Sequence, residues 1–126
     1  MTISDYLEAI KERLITDAAV VSFRIVRERA TLMDGYIRAR LTFADQSYLE
    51  FSEYVQLVDG EIKVATYSYH WANSQDDLIM RWDNTPHFPK LSNFPHHIHH
   101  GLEVLPGQPV DIFLVLDEIG QIVASS

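Results

Sequence analysis

All six histidines of this 126-residue chain, His70, His87, His96, His97, His99 and His100, fall between positions 70 and 100. Arg81, Asp83 and Asn84 lie among them. Imidazole is the side chain whose charge changes near neutral pH, so two imidazoles can serve as base and acid in one reaction. Metal-independent cleavage of RNA asks for a base at the 2′-hydroxyl, an acid at the leaving oxygen and a cation on the phosphate. His70 with one of His96, His97 or His99, His97 being taken as the partner, fits the first two parts. Arg81 fits the third through its planar fork. Asp83 or Glu53 can orient an imidazole and set its tautomer. Asn84 can bond a phosphate or a base edge, and His87 is a further substrate-binding candidate.

The same residues permit a metal. Three imidazoles, His96, His97 and His99, plus a carboxylate match zinc or manganese chemistry. Adjacent residues of an extended segment point to opposite sides, so His97 and His99 share a side that His96 does not. His87 or Asp83 would have to complete such a site. The metal-independent reading needs no cofactor. A third reading is non-enzymatic, with a partner bound through an aromatic and acidic surface. The plainest is a loop of histidines and prolines bonded across a sheet. His100 reads as a surface residue.

The elements that must position these groups follow from the apolar spacing. Ile3, Tyr6, Leu7, Ile10 and Leu14 repeat at helical period, with Thr2 or Ser4 as N-cap and Asp5 and Glu8 near the positive end of the dipole. From Ala18 to Asn84 the period is two. Asp34-Gly35 and Asp59-Gly60 are tight-turn signals, and a polar loop, Asn73–Asp77, precedes a last strand, Leu78–Asp83. This predicts a five-strand antiparallel curved meander. All five prolines, Pro86, Pro89, Pro95, Pro106 and Pro109, lie in residues 84–109, which predicts ordered loop there. A closing helix carries Ile112, Phe113, Val115, Leu116, Ile119 and Ile122, frayed near Gly120. The fold class is α+β in a single domain over residues 1–126.

Register sharpens the picture. A two-residue turn at Asp34-Gly35 pairs Arg29 with Arg40 and Thr31 with Arg38, and gathers Arg27, Arg29, Arg38 and Arg40 on one face. Like charges opposite one another destabilise a sheet. A three-residue loop after Phe43 answers this by setting Arg40 against Glu50, Leu41 against Leu49 and Ala39 against Phe51. The arginine face is then partly paired, or a patch for RNA phosphate or a partner protein. Across Asp59-Gly60 the same arithmetic pairs Leu57 with Ile62, Val55 with Val64, Glu53 with Thr66 and Leu49 with His70. Glu53 falls on the buried face and needs a partner or a raised pKa. That suits acid–base chemistry, or a carboxylate tied to Thr66, His70 or an arginine that fixes packing. Tyr54, Tyr67, Tyr69 and Trp71 fall on the other face. There they pack under a helix, or Tyr67 and Tyr69 stack bases.

Composition bounds the function. The formal net charge is −8, which argues against a non-specific nucleic-acid coat and leaves room for a local basic patch. Seven of the ten Lys and Arg residues lie in residues 1–60. There is no cysteine, so disulfides and thiolate metal sites are excluded. No signal-like or membrane-length apolar run occurs, and a cytoplasmic protein is expected.

Three segments occur together: Tyr67-Ser68-Tyr69-His70-Trp71, Arg81-Trp82-Asp83-Asn84-Thr85-Pro86-His87 and Phe94-Pro95-His96-His97-Ile98-His99. In this order they resemble the TumE family. The chain departs from the family pattern at Phe88, where a second histidine often follows His87, and at Thr85, where alanine is usual. The resemblance implies the toxin of a toxin–antitoxin pair, neutralised by a cognate antitoxin that is usually a helix-turn-helix protein. It implies action on RNA only by analogy between toxin classes.

Overall fold

The structure is a computed structural model that describes residues 1–124. Helix α1 (Ile3–Thr16) leads into strands β1 (Val20–Ala30), β2 (Asp34–Phe43), β3 (Tyr48–Val58), β4 (Glu61–Ala72), β5 (Leu78–Asp83), β6 (His97–His100) and β7 (Glu103–Pro106), and α2 (Ile112–Ala124) closes the chain. The strands form one antiparallel sheet in sequence order. Both helices lie on one side of it. Ile3, Tyr6, Leu7, Ile10 and Leu14 of α1 and Ile112, Val115, Leu116 and Ile119 of α2 join one core with Ile37, Leu41, Phe51, Tyr69, Trp71 and Trp82 of the sheet. Thr2 caps α1 in a capping box with Asp5. No described helix is long and apolar enough to cross a membrane.

The architecture is α+β as expected, but with seven strands rather than five. The difference lies in the proline-rich stretch. Pro95 and Pro106 bracket the residues between them and do not interrupt them, so 97–106 folds as a hairpin, with Gly101 at φ +62° in its turn. Helix α2 runs through Gly120 to Ala124, where fraying was expected.

The first hairpin also differs. The Thr31 N–H donates to the Asp34 carbonyl at 2.8 Å, and the Thr31 hydroxyl donates to the Asp34 carboxylate at 2.7 Å. The turn tip is therefore Leu32-Met33, and Asp34-Gly35 belongs to β2. Arg29 faces Tyr36, while Arg24 faces Arg40 and Arg27 faces Arg38. Gly35 is a packing requirement, because a Cβ there would lie 2.6 Å from Ile3 Cγ2. The loop after Phe43 has the expected register, with Arg40 opposite Glu50, Leu41 opposite Leu49 and Ala39 opposite Phe51.

The β3–β4 hairpin keeps the expected pairs Leu57–Ile62 and Val55–Val64, and then shifts by one residue. Tyr54 faces Thr66, so Ala65 is an extra residue in β4, a bulge. Beyond it Glu53 faces Tyr67 rather than Thr66, and Leu49 faces Trp71 rather than His70. Tyr67, Tyr69 and Trp71 turn into the core, and His70 turns to the open side. Tyr54, expected with those aromatics, stays on the open side and donates its hydroxyl to Asp34 at 2.8 Å. The Asn84 side chain holds the bulge: its Nδ2 donates to the Ala65 carbonyl, and its Oδ1 accepts from the Tyr67 N–H, both at 3.0 Å.

Glu53 is fully buried. Its carboxylate accepts from the Tyr6 hydroxyl at 2.6 Å, the Tyr69 hydroxyl at 2.7 Å and the Ile112 N–H at 2.7 Å. It thereby ties β3 and β4 to α1 and to the positive end of α2. Burial pushes its carboxyl up, and the three donors oppose that rise.

Two stability changes follow. Glu53→Ala strands two hydroxyls and an N–H in the core, so urea denaturation is expected to show a loss of about 3 kcal/mol or more. Asn84→Ala is expected to cost about 1–2 kcal/mol, with faster hydrogen exchange of the Tyr67 amide as its local signature.

Candidate functional site

The side of the sheet away from the helices carries two adjacent rows of polar side chains. Residues directly opposite in antiparallel strands project to the same face. One row reads Arg24, Arg40, Glu50, His70, Arg81, His99 across β1 to β6. Its neighbour reads Arg27, Arg38, Ser52, Ser68, Asp83, His97 over the same strands. The expected arginine face therefore continues into the histidine region as one surface. Arg38 and Arg40 reach Glu50 at 2.5 and 3.4 Å, as a counter-ion must. A groove of about 410 Å³ opens between them and the imidazoles, lined by Arg38, Glu50, Ser52, Ser68, His70 and Arg81.

Arg81 is the hinge of the site. Its Nε donates to Asp83 Oδ2 at 2.9 Å, and its Nη1 lies 3.2 Å from His70 Nδ1. A guanidinium only donates, so Nδ1 of His70 is the acceptor and its proton sits on Nε2. Burial, helped by the adjacent Arg81 charge, holds the His70 imidazole below the usual histidine range; Glu50 and Asp76 oppose this. The ring is therefore neutral at pH 7.

Asp83 and His97 are buried, 3% and 2% exposed, which marks them as a partnered pair. His97 Nε2 lies 2.7 Å from Asp83 Oδ1, and Nδ1 lies 3.0 Å from the Pro95 carbonyl oxygen. His99 Nε2 approaches Asp83 Oδ2 at 3.8 Å. The Phe88 ring covers both imidazoles edge-on, with centroids at 4.9 and 5.9 Å. Burial lowers the His99 imidazole against the pull of Asp83. Gly107 passes so near that a Cβ would lie 3.2 Å from the backbone nitrogen of His97.

The structure thus brings together His70, Arg81, Asp83, His97 and His99. It does not bring Glu53 to them: that carboxylate faces the helices on the other side of the sheet. Tyr67 and Tyr69, considered for base stacking, are buried at 3% and 0% exposure, with no face open to a base. Asn84 spends its amide on the bulge. His96 turns away from His97, stacks on Tyr67 at 5.8 Å and bonds its hydroxyl through Nδ1 at 2.8 Å. His96, His97 and His99 therefore do not converge, whereas the Asp83 carboxylate lies beside the rings of His97 and His99. His87 is exposed beside Phe88, and His100 is exposed. Arg24, Ser52 and Ser68 join the surface unforeseen. Their alternation with apolar neighbours was visible, but the bulges in β1 and β4 hid which face they share.

Fold and surface define a small two-layer α+β protein whose helix-free sheet face bears a basic groove running into an imidazole–carboxylate cluster. The chain belongs to the Toxin TumE family, whose model matches residues 7–126. Membership makes it a toxin-type protein and implies an antitoxin partner. No curated protein and no solved structure matches it.

The His70 environment is directly checkable. In an NMR titration its ring should protonate below the usual histidine range, and Arg81→Met should move that titration upward by removing the adjacent charge. A lowered folded-state value means that the unfolded chain takes up this proton first. This group therefore subtracts stability as pH falls through the usual histidine range.

Proposed function

We propose that the chain is the toxin of a toxin–antitoxin pair and that it cleaves RNA on the helix-free face of its sheet. The observation that carries this reading is the unbroken row from Arg24 to His99, which joins a phosphate-binding stretch to a pair of imidazoles flanking Arg81. On a chain of net charge −8, the five arginines of the two rows form a local basic surface that suits a polyanion.

In this mechanism the arginines of β1 and β2 hold the backbone on one side of the scissile phosphate, and Arg81 holds that phosphate. When the Nη1 of Arg81 turns to the phosphate it releases Nδ1 of His70. The neutral ring then takes the proton of the 2′-hydroxyl, whose oxygen attacks phosphorus. The leaving 5′-oxygen departs toward β6, where His99 faces Arg81 from the other side and, in the form that has taken up its second proton beside the Asp83 carboxylate, supplies the proton. Strands lie about 4.8 Å apart, so imidazoles two strands apart bracket a phosphate at about 10 Å between backbones. Asp83 fixes Arg81 through Oδ2. His97, a proton-transfer candidate by sequence, is buried and serves to position Asp83.

Growth inhibition on expression, paired with RNA cleavage by purified protein, tests this. His70→Ala and Arg81→Ala are each expected to relieve inhibition and to slow cleavage by about 100-fold or more, with circular dichroism unchanged. His100→Ala should keep full activity. Folded His70→Ala protein that still inhibits growth would end the catalytic assignment. If Arg24 and Arg38 substitutions alone then relieved inhibition, the face would be a non-enzymatic binding surface.

A further inference from the structure

We infer that Asp83, His97 and His99 form a binding site for one divalent transition ion of the zinc, manganese or iron(II) class. The inference rests on ligand geometry and does not depend on the RNA reading.

The ligand atoms converge. One oxygen of Asp83 and one nitrogen from each ring all lie within 4.8 Å of one another. The Nε2 atoms of His97 and His99 stand 2.7 and 3.8 Å from the two carboxylate oxygens. Ligands about 2.0–2.1 Å from a tetrahedral ion lie about 3.3 Å apart, between these two separations. Small side-chain shifts close the site.

The surroundings favour an ion over a chance cluster. A ring nitrogen that ligates is set by the bond its other nitrogen makes. Nδ1 of His97 faces the Pro95 carbonyl oxygen, so the Nδ1–H donates there and Nε2 presents its lone pair to the Asp83 carboxylate. Two lone pairs 2.7 Å apart need a positive charge between them, either a second ring proton or a metal ion. Asp83 is itself anchored, with Oδ2 accepting from Arg81 and Oδ1 from the Thr85 N–H at 3.2 Å. The Phe88 ring and the hairpin backbone exclude water on one side, while His99, its side chain 27% exposed, leaves the other side open. Two imidazoles and one carboxylate with open positions is a ligand set for these ions, whereas magnesium and calcium prefer all-oxygen sites. With an ion in place, His99 is a ligand and not a proton donor.

The test uses tag-free full-length protein and the metal alone. Equilibrium dialysis against zinc and manganese, with cobalt(II) as a spectroscopic probe, should give one bound ion per chain and a cobalt spectrum of low coordination number. His99→Ala, at a partly exposed position that should still fold, is expected to weaken binding by at least about tenfold. Asp83→Asn and His97→Ala should abolish it, and His96→Ala and His100→Ala should leave it unchanged. Absence of stoichiometric binding by wild-type protein would overturn the site. So would binding that survives His99→Ala but falls in His96→Ala or His100→Ala, which would mark loose surface histidines. No RNA enters this measurement, so its failure and that of the ribonuclease assignment are read separately.

Discussion

One extra residue in β4 decides what this protein presents to its surroundings. A strand's side chains alternate, so inserting Ala65 reverses every side chain beyond it. Without the bulge, His70 and Ser68 would point under the helices, and Tyr67, Tyr69 and Trp71 would line the open face. With it, the three large rings enter the core and His70 meets Arg81. Burial of three large aromatic side chains is worth several kcal/mol, which outweighs one broken rung of the ladder. The rung is also repaired, because the Asn84 amide supplies both bonds that the bulged backbone lacks.

The sheet then has two faces of opposite chemistry. On the helix side a single carboxylate, Glu53, is accepted in the core because three donors from α1, β4 and α2 converge on it. On the open side, charges are spread along rows and partly paired: Glu50 holds Arg38 and Arg40, and Asp83 holds Arg81 and His97. The division explains how a chain of net charge −8 carries a basic groove. Its acidic residues are not absent from the arginine face; Glu50 and Asp83 sit there as counter-ions and set the directions of the guanidinium groups.

The cluster owes its shape to the last hairpin. β6 adds to β5 so that Asp83 faces His97 and Arg81 faces His99. Phe88 closes over both rings from the loop before it. A motif that reads along the chain as a string of histidines is in space two populations. His97 and His99 join the charged face, while His96 turns to Tyr67 near the helix layer.

The sequence by itself determined the fold class, both helices, the two hairpin registers nearest the turns after Phe43 and at Asp59-Gly60, the burial of Glu53 and the split between His96 and its neighbours. Each of these follows from a local period or a turn length. The family motifs were legible too, because they are runs of residues rather than contacts. Tertiary structure alone decided the turn at Leu32-Met33, the two strands inside the proline-rich stretch, the partners of Glu53 and the side to which His70 points. Bulges make these illegible. Whether a strand takes an extra residue depends on the balance between core burial on one face and hydrogen bonding along the edge, and both terms belong to residues distant in the chain.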